Sequence, residues 1–118
     1  MIKIVVLTSN IGTGTNLQAI IDGVKNRRID AQIQAVISDI DNTPALQRAK
    51  KHKLKVYICL KKEDLLSLVT KIKPDYICLA GWKQIITDEV INAFPNKILN
   101  THPGLIPDSL DGIVKNPD

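Results

Sequence analysis

The chain is short of aromatic residues: its 118 positions hold one Trp, one Phe and two Tyr. Nucleic-acid readers usually stack bases on aromatic rings or carry a recognisable module, so a nucleic-acid partner is set aside despite a net charge of +4. The basic residues sit mainly in "KNRR" (25–28), "RAKKHKLK" (48–55) and "LKK" (60–62). They read as a solvated face, with a small anionic ligand as the second reading. Cysteine is equally scarce. Cys59 and Cys78 lie far apart inside apolar runs, which excludes a disulfide frame and a zinc site and points to buried thiols. No metal is expected. No apolar run approaches the roughly 20 residues that span a bilayer, and the opening MIKIVVLTSN lacks the basic region and cleavage site of a signal peptide. A cytoplasmic location with no membrane partner is the expectation. What is present is ordinary: 44% hydrophobic and 24% charged residues describe a globular chain rather than a disordered one. A length of 118 residues fits one domain.

Along the chain, apolar runs alternate with helical spacings. "IKIVVL" (2–7) is a continuous apolar strand, followed over 15–26 by Leu17, Ile20, Ile21 and Val24 at i, i+3, i+4 and i+7. "AQIQAVIS" (31–38) is a second strand, and "TPALQRAKKH" opens a second helix with Thr43 as N-cap and Pro44 at the first helical position. "KVYIC" (55–59) is a third strand, and Leu65, Leu68, Val69 and Ile72 mark a third helix closed by Pro74. "DYICLAG" (75–81) is a fully apolar fourth strand; Thr87 with Asp88 and Glu89 predicts a capped helix whose acids face the positive end of its dipole. "KILN" (97–100) is a short fifth strand, and the Pro/Gly/Asp-rich stretch 103–118 has no periodicity. The expected organisation is one folded unit over 1–102 and a loop or tail over 103–118.

Alternating strands and helices of these lengths predict βαβ units: a Rossmann-like α/β fold with an open, mainly parallel sheet and helices on both faces. Ligands of such sheets bind outside the carboxyl ends of the strands, where residues 8–16, 80–86 and 100–107 fall. In the first of these loops Gly12 and Gly14 allow a tight turn and a close approach of backbone to ligand, Thr13, Thr15 and Asn16 add donors, and the helix start favours an anion. The plainer alternative is that Thr13 or Thr15 caps the helix and the glycines serve the turn. A dinucleotide site of an NAD-dependent oxidoreductase is a further alternative, with Asp39 as its acid; Leu17 in the place of a third glycine opposes it. In the third loop Asn100 and His102, two residues apart on an extended strand end, project to one side and could converge on one oxygen. Such a pair suits acyl chemistry, with an amide donating to an oxyanion and an imidazole exchanging a proton near neutral pH. A structural hydrogen bond is the alternative role for His102, and His52 among lysines reads as a surface residue.

"GTNLQAII" (14–21), "PDYICLAGW" (74–82) and "ILNTHPGLIP" (98–107), in this order and spacing, resemble the phosphoribosylglycinamide formyltransferase family. The Asn-x-His-Pro turn is shared with methionyl-tRNA formyltransferase and formyltetrahydrofolate hydrolase; the "GTNLQ" loop makes the distinction. The resemblance implies transfer of a formyl group from 10-formyltetrahydrofolate to the amine of glycinamide ribonucleotide in purine biosynthesis, with no metal or nicotinamide. It implies that Gly14, Thr15 and Asn16 hold the substrate phosphate. It further implies that Gly81, Trp82, Lys83, Gln84, Ile85 and Ile86 line the folate pocket largely through backbone groups. Asn100 and His102 would stabilise the tetrahedral intermediate, in a turn shaped by Pro103.

Three departures accompany it. The "SNIGTGTN" loop is longer than the family's usual Ser-Gly-x-Gly-Ser-Asn, and Lys83-Gln84 replaces the usual Met-Arg. The family also continues past its His-Pro turn into a part that supplies a further aspartate, which Asp108 and Asp111 lie too close to His102 to match. The fold is therefore expected to be cut after about the fifth strand, with the rest supplied by a carboxy-terminal part or a homodimer partner. The alternative from another class is a non-catalytic module that binds a phosphate-bearing ligand.

Overall fold

The computed structural model describes residues 2–9 and 14–100. Five strands, β1 (Ile2–Thr8), β2 (Ala31–Ser38), β3 (Val56–Ile58), β4 (Tyr76–Leu79) and β5 (Ile98–Asn100), form one parallel sheet in the order β3-β2-β1-β4-β5. Between them run the helices α1 (Thr15–Lys25), α2 (Pro44–Lys51), α3 (Leu65–Ile72, after a short 3₁₀ turn) and α4 (Asp88–Ala93). Every strand expected from the sequence is present, with ends shifted by one or two residues where the apolar run outlasts the ladder.

Strand β1 is central and covered on both faces, so it needs no polar alternation: Val5, Val6 and Leu7 have no exposed surface at all. Its side chains divide two cores. Ile4 and Val6 join Leu17, Ile20 and Ile21 of α1 and Ala45, Leu46 and Ala49 of α2 on one face. Val5 and Leu7 join Leu65 and Val69 of α3 and Val90 of α4 on the other. Helices therefore cover both faces, as the alternation of elements requires.

Strand β2 breaks its own alternation. Ile4 pairs with Ile33 but Val5 pairs with Ala35, so Gln34 is an extra residue, a bulge that switches the faces of the residues after it. This is how Ala31, Ile33 and Val36 reach one core while Ala35 and Ile37 reach the other.

Two of the helix starts are capped as the sequence predicts: Thr43 Oγ1 accepts from Leu46 N–H at 3.3 Å, and Thr87 Oγ1 from Val90 N–H at 3.4 Å. The ends use a costlier device. Arg27, Lys53 and Lys73 take the left-handed conformation, with φ of 61°, 61° and 58°, just after α1, α2 and α3, where glycine is the usual residue. His52, expected on the surface, is half-buried at the end of α2, with Nδ1 3.2 Å from Lys25 Nζ and Nε2 3.5 Å from the Gln18 amide.

Two outcomes follow for stability. Replacing the exposed Lys73 by Gly relieves a side chain from the left-handed region while keeping its N–H bond to Val69 O, and is expected to stabilise by about 0.5–1 kcal/mol. Thermal unfolding checks it, with the midpoint rising by about 2–5 °C. Burial of Cys78 in β4 pushes its thiol from an ordinary value of 9.0 up to about 12. Because the folded value lies above the unfolded one, the thiol's contribution is intact below about pH 9 and lost as the pH climbs toward 12. Urea titrations across that window are expected to show a loss of stability that Cys78→Ala reduces, and a thiol reagent at pH 8 is expected to label Cys78 only after unfolding.

Candidate functional site

The chain leaves β1 toward β2 and β3 on one side, then returns to lay β4 and β5 on the other. The carboxyl ends of β1 and β4 therefore diverge over a crevice, the place where open parallel sheets take ligands. Backbone bonds tie its two walls together. Ala80 N–H donates to Leu7 O at 2.8 Å, and Ser9 N–H donates to Gly81 O at 3.1 Å. Ser9 Oγ, on a residue only 3% exposed, accepts from Lys83 N–H at 3.0 Å. Farther out, Gln84 Nε2 donates to Asp39 Oδ2 at the end of β2, 2.6 Å away. Gly81 takes φ 76° to make this turn, a conformation open to glycine.

At the first wall α1 begins abruptly. Gly14 is its N-cap, in the left-handed conformation at φ 76° and ψ 25°, and no side chain caps the helix. The first turn carries no acidic residue, so no carboxylate of its own competes for the exposed amide groups and the positive end of the dipole. Thr15 is the first helical residue and is exposed rather than capping, while Asn16 is half-buried with an Oδ1 that has no hydrogen-bond partner among the described residues. Gly14 has a duty the sequence did not disclose. A Cβ there would sit 2.8 Å from Ala45 Cα and 3.0 Å from Ala45 N, so glycine seats the start of α1 against the start of α2. Gly12 and Thr13 lie outside the described residues.

The second wall, 81–86, divides its labour. Trp82 and Ile86 pack against the core under α3 and α4. Lys83 and Gln84 are exposed yet committed through Ser9 and Asp39, and Ile85 stands 73% exposed. The indole Nε1 of Trp82 is buried without a partner among the described residues. Asn100 closes β5 in the same row as Leu79 of β4 and Leu7 of β1. Two strand spacings put it roughly 10 Å from the end of β1. It shares the strand side of Ile98, which belongs to the core that Trp82 and Ile86 also join. His102, Pro103 and the stretch 103–118 lie outside the described residues.

Sequence reasoning did not identify the Ser9 hydroxyl and treated Asp39 only as the acid of a dinucleotide site. A partner 74 residues away for Ser9, and 45 away for Asp39, leaves no local pattern to read. Other features stand apart from the crevice. A cavity of about 930 Å³ at the opposite end of the sheet is lined by Lys25, Arg27, His52, Lys53 and the apolar Ile29 and Leu54. The carboxyl ends of α1 and α2 meet there, and their negative dipole ends disfavour an anion that the cations would otherwise attract. Among the described residues no three His, Cys, Asp or Glu side chains come together in a metal-binding cluster.

The family model described as formyl transferase matches residues 2–113. The chain is 38% identical over 116 residues to a phosphoribosylglycinamide formyltransferase of Haemophilus influenzae, covering 91% of this chain and 54% of that protein. It is 31% identical over 114 residues to the Escherichia coli enzyme of the same name, covering 89% and 53%. Among solved structures, glycinamide ribonucleotide transformylase 1 from Symbiobacterium toebii superposes with a TM-score of 0.76 at 36% identity, over 91% of this chain and 54% of that one. The chain thus spans about half the length of these relatives. With a match over nearly its whole length and the same fold, the chain belongs to the formyl transferase family.

Proposed function

We propose that this chain forms the ribonucleotide-binding half of a phosphoribosylglycinamide formyltransferase, which moves a formyl group from 10-formyltetrahydrofolate to the amine of glycinamide ribonucleotide. The observation that supports this reading is that three segments fall at the same, carboxyl end of the parallel sheet: Gly14–Asn16 at the start of α1, Gly81–Ile86 after β4, and Asn100 at the tip of β5. An uncapped helix start without acidic neighbours suits a phosphate dianion, and a half-buried Asn16 amide supplies a side-chain donor beside it. The roughly 10 Å across the sheet from the end of β1 to the tip of β5 leaves room for the sugar and glycinamide of a ligand that lies along this end.

The chemistry asks little beyond placement. The substrate amine attacks the formyl carbon, the carbonyl oxygen gains negative charge, and the Asn100 amide donates a hydrogen bond to it. His102, two residues on, supplies a second donor and exchanges the proton released as the C–N bond forms. Collapse of the tetrahedral intermediate then breaks its bond to N10 of the folate, and N10 takes up the proton that the amine gave up. Backbone groups of 81–86 hold the pterin, and the relatives' downstream half contributes the rest of the site.

Calorimetric titration with glycinamide ribonucleotide tests the binding half directly. Asn16→Leu is expected to weaken the affinity about 10- to 100-fold, the loss of a hydrogen bond to a charged group, without changing the melting midpoint by more than a few degrees. Unaltered affinity would rule out Asn16 as a phosphate ligand. For turnover, the chain is joined to the downstream half of the Haemophilus relative and assayed with 10-formyltetrahydrofolate. His102→Ala there is expected to lower kcat by about a hundred- to ten-thousandfold and leave ribonucleotide affinity within about twofold. Ribonucleotide binding with no turnover in the joined protein would favour a non-catalytic phosphate-ligand module.

A further inference from the structure

We infer that Ala45 is a positioning residue for the phosphate site: its small side chain at the start of α2 sets where Gly14 and the first amides of α1 lie. This rests on the proposed phosphate role of Gly14–Asn16. The two helix starts meet backbone against backbone. A Cβ at Gly14 would stand 2.8 Å from Ala45 Cα, 3.0 Å from its N and 3.1 Å from its Cβ, and Ala45 has no exposed surface. Atoms added at position 45 therefore find no open space and must displace a neighbour. Valine is the sharpest probe, because its two γ-carbons sit on a stiff χ1 that leaves little choice of direction in a helix.

Which side yields depends on how each start is held. The start of α2 is pinned: buried Thr43 accepts from Leu46 N–H with Oγ1 and from Gln47 N–H with its carbonyl, at 3.3 and 3.1 Å, and Pro44 has its φ fixed by its ring. The start of α1 has no side-chain cap, and Gly14 is tied to the helix by the 3.0 Å bond from Gln18 N–H to its carbonyl. Leu17 in the core and the 3.0 Å bond from Arg48 to the Gln18 amide oxygen fix the axis of α1, but they act three and four residues beyond Gly14. Bulk at position 45 is therefore taken up at Gly14, and the amides of Thr15 and Asn16 turn with it. A charge-assisted bond to phosphate tolerates little of this, since it is made at about 2.7–2.9 Å and weakens steeply as its angle closes.

Two ligands that differ only in the phosphate isolate the effect. Glycinamide ribonucleotide is titrated calorimetrically into the chain and into the protein joined to the downstream half, and the riboside without the phosphate is measured by competition against it. Wild type is expected to prefer the ribonucleotide about 100-fold or more, the contribution of two charge-assisted bonds. Ala45→Val is expected to cut that preference to about tenfold or less and to leave riboside affinity within about threefold. Ala49→Val is the control for overpacking alone: Ala49 is equally buried in the same core, one turn further along α2 and about 6 Å up its axis. Its melting midpoint is expected to fall as that of Ala45→Val does, while its preference stays within about twofold of wild type. A preference undiminished in Ala45→Val, or cut as far in Ala49→Val, overturns the inference and leaves the phosphate assignment intact. Should Ala45→Val fail to fold, Ala45→Ser takes its place, with a drop of about threefold or more expected and an unchanged preference overturning the inference. A wild-type preference near one in both proteins overturns the phosphate assignment and this inference with it.

Discussion

The crevice exists because β1 is gripped on both edges by parallel neighbours that lead away in opposite directions. Leu7 is hydrogen-bonded in register with Ile37 of β2 and with Leu79 of β4, and it has no exposed surface. A central strand in that position cannot tilt or slip without moving hydrophobic residues from one core to the other. Its carboxyl end is therefore a fixed point. Gly14 at the start of α1 and Gly81 after β4 share a φ of 76°, which other residues adopt only with strain. The groups proposed to bind ligand there are mostly backbone amides, which have little rotamer freedom to lose on meeting it.

Much of this was readable beforehand. A continuous apolar run such as IKIVVL can be satisfied only where both faces are covered, and the regular recurrence of apolar helix stripes between such runs leaves little choice but a parallel sheet. Thr43-Pro44 and Thr87-Asp88-Glu89 marked helix starts because a hydroxyl cap and a proline or acids in the first turn are local devices. The loops bearing Gly14–Asn16, Gly81–Ile86 and Asn100 could be assigned to one end of the sheet because each follows an expected parallel strand.

What escaped the sequence depends on contacts between distant segments. The bulge at Gln34 has no signature in an apolar strand whose two faces are both buried, since either parity fits the pattern. Gly14 reads as a loop glycine that admits a ligand; only the position of Ala45 shows that it also admits a neighbouring helix. The basic runs 25–28 and 48–55 read as solvated; Arg27 and Lys53 from them, like Lys73 after α3, occupy left-handed positions that glycine would fill more easily, and the reason for that choice is not evident in the structure. Lys83-Gln84 stands where the family usually has Met-Arg. In the fold, the Lys83 amide donates to Ser9 Oγ and the exposed Gln84 side chain donates to Asp39 at the end of β2.

A nitrogen-15 chemical-shift titration with glycinamide ribonucleotide tests the central claim most directly, because it reports every backbone amide at once. One crevice at the ends of β1, β4 and β5 predicts that the largest shifts fall on Ser9, on Gly14 through Gln18, on Gly81 through Gln84 and on Asn100. Shifts confined to Lys25, Arg27 and Lys53 at the far end of the sheet, or divided between the two ends without saturation, would contradict it.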